Sequence, residues 1–147
     1  MRKHCHCGQM MNLGFRLVIF EGIYEIDRVP IYECEDCSYY EVLPEVKSDL
    51  TDLLAELKKE QPNGRVYFTE QNELADLIFG IYRQWNRTES ASFESLLEQQ
   101  CEERINLLLD LYGGAKNIDD LEWMNEISKR LSQLSKYVKN RQLSKAN

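Results

Sequence analysis

Histidine is scarce in this sequence, which holds only His4 and His6, both close to its start. Ser-His-Asp and Cys-His catalytic arrangements need an imidazole as the base, so the sequence offers almost no material for them. Glycine-rich phosphate-binding patterns and the H-E-x-x-H pattern of zinc proteases are also missing. We therefore expect no catalytic residues, no residues that bind an organic cofactor, and a protein that is not an enzyme.

Long apolar runs and clustered positive charge are missing as well. No run approaches the roughly 20 residues that cross a bilayer, and residues 1–5 lack the apolar core of a signal peptide. We expect a cytoplasmic protein without a membrane partner. The net charge of -7 disfavours nucleic acid as a partner. Residues 131–147 differ, with four basic side chains and no acidic one. This basic tail (136–145) is consistent with the C-terminal end of a helix, where positive side chains interact favourably with the helix dipole. The alternative is that the tail binds phosphate.

Cysteine is the informative residue type that is present. Four of the five cysteines form two pairs, Cys5-His6-Cys7 and Cys34-Glu35-Asp36-Cys37. In a reducing compartment, such pairs indicate metal ligands rather than disulfides. Their spacing predicts one structural Zn²⁺ bound in a tetrahedron. Four strong protein ligands would leave no coordination position open for catalysis.

Two ligand sets fit the spacing. The second pair has the common C-x2-C form, but one residue alone separates Cys5 from Cys7, and His4-x2-Cys7-Gly8 would restore the usual distance. We favour Cys5, Cys7, Cys34 and Cys37, because a spare thiol beside a zinc site would be reactive; His4 is the alternative to Cys5. We expect His6 to be exposed to solvent and Cys101 to be a small core residue.

Residues 1–45 have the pattern of a small antiparallel β module similar to a zinc ribbon. Strand-forming or alternating segments occupy 15–20, 23–27, 31–33 and 39–43, with a turn at Glu21-Gly22. Val29-Pro30 is expected to interrupt the hydrogen-bond ladder, and Pro44 to end the last strand. The module has few apolar residues, so bound metal would supply part of its folding free energy.

Residues 46–147 have the period of helices. The pattern predicts four, over about 49–60, 70–86, 93–112 and 118–140. Ser48, Thr69 and Ser92 are candidate starts for the first three, and Asn117 or Asp119 for the fourth. Gly113-Gly114 is expected to end the third. The last helix has a short coiled-coil-like apolar seam, which suggests a homodimer through the C-terminal helices. The fold class is therefore α+β.

A longer run around the second cysteine pair supports a family resemblance. Val29-Pro30-Ile31-Tyr32-Glu33 leads into Cys34-x2-Cys37, and Tyr40, Glu45-Val46 and a helix follow. With the first pair about thirty residues upstream, the stretch 5–50 resembles the bacterial YgiT-type zinc finger, which also forms the N-terminal half of MqsA-like antitoxins. The resemblance implies zinc on Cys34 and Cys37, and on Cys7 with Cys5 or His4.

The sequence departs from that family in two places within the motif. The first pair is C-x-C, and Ser38 stands where glycine usually follows the second pair. The resemblance does not extend to the helices, where no compact helix-turn-helix is evident.

We therefore expect a zinc-binding adaptor or regulatory protein that acts through an unknown protein partner. The alternatives are a DNA-linked regulator or antitoxin of the MqsA-like kind, and an enzyme with an active site between the helices.

Overall fold

The structure, a computed structural model, describes residues 1–61, 64–85 and 92–146. It has the expected α+β class and divides into two compact units, Met1–Arg83 and Gln84–Asn147. The predicted boundary between residues 45 and 46 falls inside the first unit, because the helix that begins there packs on the sheet. Within the described ranges, no helix combines the length and apolar character that a membrane span requires.

Four antiparallel strands form the sheet in the order β1-β2-β3-β4, and a fifth short strand pairs parallel to β3. The strands are β1 Arg2–His4, β2 Met10–Phe20, β3 Tyr24–Cys34, β4 Tyr40–Val42 and β5 Val66–Tyr67. Strands β2 and β3 form a long hairpin, with the predicted turn at Glu21 and Gly22, both at positive φ. Strands β1 and β5 are not predicted from the sequence, because segments of two or three residues are too short to show a period.

The expected interruption at Val29-Pro30 is wrong. Strand β3 runs through Pro30, which pairs with Phe15, and the Pro30 carbonyl accepts the Leu43 N–H at 3.1 Å. The irregularity lies just before this dipeptide, where one residue of β2 faces two of β3 and Arg28 has a φ of 56°. This is a β-bulge, which locally bends and twists a strand. Proline cannot donate to the hydrogen-bond ladder and is found within sheets mainly on edge strands or at bulges, so the adjacent bulge accounts for Pro30 in this strand.

Helix α1 spans Pro44–Glu60 and so begins before the predicted start after Ser48. Pro44 ends the strand region as expected, but it also opens the helix, since proline fits the first helical turn. The buried positions Val46, Leu50, Leu53 and Leu57 recur every three or four residues, and the helix packs on β3. The inner face of α1 thus belongs to the core of the first unit.

The helix predicted over 70–86 is two helices, α2 Phe68–Gln71 and α3 Glu73–Gln84; residue 86 lies outside the described residues. Asn72 separates them in an extended conformation and is only 2% exposed. Its Oδ1 accepts the Ala75 N–H at 2.8 Å, and its Nδ2 donates to Asp49 at 2.9 Å. Asn72 therefore caps α3 and ties it to α1.

The second unit contains α4 Phe93–Asn117 and α5 Leu121–Ala146. The Ser92 cap is confirmed, because its hydroxyl accepts the Ser95 N–H at 3.1 Å. The expected stop at Gly113-Gly114 is wrong: α4 continues to Asn117, and Ala115 beyond the glycines is fully buried. Burial of Ala115 in this last turn outweighs the weak helix propensity of glycine.

Helix α5 begins three residues later than predicted, and its end lies beyond the predicted 140. Neither Asn117 nor Asp119 caps it; the Asp120 carboxylate accepts the Trp123 N–H at 3.0 Å. Arg141 near the end of α5 pairs with Glu98 near the start of α4 at 3.1 Å, so the helices are antiparallel. The seam residues Ile127 and Leu134 are fully buried within the chain.

Candidate metal centre

The first cysteine pair lies in the turn between β1 and β2. The Cys5 N–H donates to the Gln9 carbonyl at 2.7 Å, and the Gly8 N–H donates to the Cys5 carbonyl at 3.0 Å. Gly8 has a φ of 95°, which a side chain would strain. The tight turn directs both sulfurs to the same region, with Cys5 buried and Cys7 exposed.

The second pair lies in the turn between β3 and β4. Cys34 is the last residue of β3; its N–H donates to the Tyr39 carbonyl at 2.9 Å, and its carbonyl accepts the Ser38 N–H at 3.0 Å. Ser38 has a φ of 61°, so a non-glycine residue occupies the left-handed region that Gly8 occupies in the first turn. Again one cysteine, Cys34, is buried and the other, Cys37, is exposed.

Register and curvature of the sheet bring the two turns together. Met10 pairs with His4 and Met11 with Cys34, so the β1–β2 turn lies beside the end of β3. Lys3 of β1 forms an ion pair with Glu41 of β4, which raises the pKa of Lys3. In a flat sheet, strands separated by two others lie about 14 Å apart, too far for these side chains to meet. The sheet therefore curls at the end that carries the cysteines.

The four predicted sulfurs converge. The ligand atoms of Cys5, Cys7, Cys34 and Cys37 all lie within 4.8 Å of one another. The Sγ atoms of Cys5 and Cys37 are 3.6 Å apart, as are those of Cys7 and Cys34. These separations are too long for disulfides, and all four are free thiols. A tetrahedral site with metal–sulfur bonds of about 2.3 Å has sulfurs about 3.8 Å apart. The cluster therefore fits a single metal ion.

Other residues considered as ligands or neighbours lie outside the sulfur cluster. Among the described residues the group contains no histidine, and His4 lies exposed on β1. His6 is exposed, with Nδ1 3.6 Å from the Cys5 sulfur and its ring edge-on to Tyr39 at 4.8 Å. Cys101 is fully buried in α4 of the second unit, where burial raises the pKa of its thiol to about 12.

Backbone amides and neighbouring thiols give the sulfurs different pKa values. The Cys37 N–H donates to the Cys34 sulfur and, with the Asp36 N–H, lowers the pKa of Cys34 to about 7, although burial opposes this. A Gln9 N–H lowers the pKa of Cys7, but the Cys34 sulfur and partial desolvation of the thiol outweigh it, and the pKa rises to about 12. Cys34 therefore loses its proton more easily than Cys7 near neutral pH. Cys7 would ionise when a bound cation compensates the negative charge of its thiolate.

Contacts that the sequence did not predict link the two turns around the cluster. His6 belongs to the first turn and Tyr39 to the second, so their ring contact joins the turns directly. Asn12 of β2 donates to the Glu35 carboxylate at 3.4 Å. An aromatic residue beside each pair was the available signal, but the sequence did not show that the two would meet.

No family model, curated protein or solved structure matches this chain.

Proposed function

We propose that the cysteine cluster binds one structural Zn²⁺ and that the protein is a non-enzymatic adaptor or regulator acting through protein–protein contacts in the bacterial cytoplasm. The observation that carries the proposal is the convergence of four thiols from two separate turns. Four-thiolate sites suit zinc or iron, and C-x2-C turns are typical of structural zinc. The resemblance to the YgiT-type zinc finger supports the same metal.

A closed four-thiolate site stabilises a fold rather than performing chemistry. Zinc that catalyses hydrolysis keeps a position for water or substrate, and four cysteine ligands fill the tetrahedron. The turns that hold the sulfurs are also short, so the ion would cross-link the curled end of the sheet. The metal then contributes folding free energy, on the order of 10 kcal/mol for a structural zinc.

The pocket between α4 and α5 does not favour an enzyme. Its volume is about 80 Å³, against the several hundred cubic ångströms usual for ligand sites. Glu98, one of its acids, is engaged by two nitrogen atoms of Arg141. The pocket is therefore small and its carboxylate is held in an ion pair.

Large apolar side chains on the surface of both units support an interaction role. Ile23 at the β2–β3 turn is 73% exposed, and Leu121 at the start of α5 is 71% exposed. Tyr39 and Tyr40 are exposed beside the second cysteine turn. Aromatic residues are enriched in protein interfaces. Leu121 and Leu143 are both exposed on α5, and they could support self-association through this helix. Analytical ultracentrifugation tests whether the protein is a dimer.

The metal is tested by elemental analysis of the protein purified without added metal, followed by Co²⁺ substitution. We expect one zinc per chain and the absorption of tetrahedral thiolate-bound Co²⁺. A Cys5→Ser variant should lose affinity, whereas His4→Ala should keep it. Iron in place of zinc, or loss of metal in His4→Ala alone, would contradict the proposed centre.

The interaction role is tested by affinity capture from a lysate of its own cells, followed by titration with each purified candidate. We expect a partner that binds the zinc-loaded protein with defined stoichiometry. The absence of any reproducible partner would argue against an adaptor. Salt-sensitive binding to duplex DNA instead would favour the DNA-linked regulator.

A further inference from the structure

Three aromatic rings form a partly exposed cluster on the first unit, which we call the aromatic patch: Phe15, Phe79 and Tyr82. Phe15 on β2 meets Phe79 edge-on at 4.9 Å and Tyr82 at 5.2 Å between ring centroids. Phe79 and Tyr82 lie three residues apart on α3, so they share one face of that helix. Tyr82 is 46% exposed, and the patch therefore presents ring surface to solvent.

Two arginines converge on the same patch. The Arg28 guanidinium carbon lies 5.2 Å from the Phe79 centroid, and that of Arg83 lies 5.5 Å from it. The two carbons are thus at most about 11 Å apart, within cation–π range of one ring. Arg28 also lies 4.6 Å from the centre of the Tyr67 ring. The two positively charged guanidiniums therefore lie against the same aromatic ring, that of Phe79.

Within the described ranges these two guanidiniums form no ion pair, although the chain carries net charge -7. Three other arginines pair with carboxylates: Arg16 with Glu33 at 3.4 Å, Arg65 with Asp27 at 3.4 Å, and Arg141 with Glu98 at 3.1 Å. An acidic protein thus keeps two neighbouring cations unneutralised by carboxylates at one place on the described surface. The two like charges repel each other weakly at this separation, and a bound anion would relieve that repulsion.

The backbone conformation at Arg28 is a second, independent indication that this side chain has a functional role. Arg28 sits in the β3 bulge with a φ of 56°, a conformation that a non-glycine residue adopts at a cost. Its N–H donates to the Asp27 carboxylate at 2.8 Å, which holds the bulge in place. Bulges redirect side chains, and local strain is concentrated at functional sites. The bulge directs Arg28 to the rings of Tyr67 and Phe79.

We propose that the aromatic patch with Arg28 and Arg83 is the docking surface for an acidic segment of a partner protein, one that presents two carboxylates beside an aromatic or aliphatic side chain. This rests on the interaction role proposed above. Each guanidinium fork matches a carboxylate, and the rings match an apolar neighbour. A nucleic acid strand is disfavoured, because two cations on a chain of charge -7 neutralise little of a polyanion.

The probe is a fluorescently labelled random copolymer of glutamate and tyrosine, titrated with the zinc-loaded protein by anisotropy. We expect saturable binding that weakens as salt rises. The double variant Arg28→Gln/Arg83→Gln should weaken it at least ten-fold, and Tyr82→Ala several-fold. The matched control is Lys47→Gln/Lys59→Gln, which removes the same charge from exposed positions of α1 in the same unit and should change binding less than three-fold.

Zinc content and circular dichroism of each variant show whether its fold is kept; Tyr82→Ala serves as the readout if the arginine variant unfolds. Absence of copolymer binding, or equal loss in the lysine control, overturns the proposal. Tighter binding to oligo-deoxythymidine than to the copolymer overturns it in favour of a nucleic acid strand. A captured partner that binds the arginine variant as well as the natural chain overturns the docking surface but leaves the adaptor role standing.

Discussion

The two cysteine turns differ in one residue that should change metal affinity in a predictable direction. Gly8 and Ser38 each follow the second cysteine of their pair, and both have positive φ, 95° and 61°. Glycine adopts this region freely, whereas an L-residue is destabilised there by about 1–2 kcal/mol. Ser38→Gly should therefore relieve strain in the second turn.

The expected magnitude is a difference of two effects. Relief of the left-handed conformation contributes about 1–2 kcal/mol, and the greater freedom of glycine in the unbound turn removes about 0.5–1 kcal/mol. The central values leave a gain of about 0.75 kcal/mol, which corresponds to roughly three- to four-fold tighter metal binding. Gly8→Ala should act in the opposite direction. A Cβ there would meet nothing within 4 Å, so its cost is that of the backbone alone.

Competition with a chromophoric zinc chelator measures both changes at one pH. Ser38→Ala is the matched control, because it removes the hydroxyl but keeps the strained backbone, and it should bind zinc as the natural chain does. Equal affinity of Ser38→Gly and Ser38→Ala would refute the reasoning. So would a Gly8→Ala variant that binds zinc as tightly as the natural chain.

Three further predictions follow from other described contacts. Zinc binding at pH 7 should release protons, because the pKa of Cys7 is raised to about 12 and that of Cys37 is also raised, and affinity should fall as pH falls because the metal binds thiolates. Calorimetry in buffers of different ionisation enthalpy measures the release, and a pH-independent affinity would contradict the prediction. Asn72→Ala should lower the free energy of unfolding by about 2 kcal/mol, since it removes the buried α3 cap and the part-buried hydrogen bond to Asp49. Urea denaturation measures this, and an unchanged midpoint would exclude the role. Asp120→Ala should cost about 1 kcal/mol while Asp119→Ala costs little; the reverse order in thermal unfolding would restore the cap predicted from sequence.

Local patterns carried much of the prediction. The ligand pairs were visible because each lies within four residues, and the structure brings these four sulfurs together. The α+β class followed from the change of period after residue 45. The Ser92 cap was found because capping depends on residues three positions apart. Each of these features depends on near neighbours in the chain.

Features set by tertiary contacts were missed. Glycine propensity predicted a stop at Gly113-Gly114, but burial of Ala115 continues the helix. The break at Asn72 depends on Asp49, which is distant in sequence. The bulge at Arg28 reflects pairing between β2 and β3, which one strand alone cannot reveal. The sequence also lacked any sign that Arg28 and Arg83 would meet at one ring.

The pairing of Met11 with Cys34 has a consequence for how the hairpin forms. A slip of one residue between β2 and β3 would displace the turns by about 3.3 Å and exchange the faces of the sheet. The sulfurs would then fail to enclose an ion. A metal bound at this cluster would therefore favour the correct strand alignment, because a hairpin paired one residue out of register could not coordinate it with all four sulfurs.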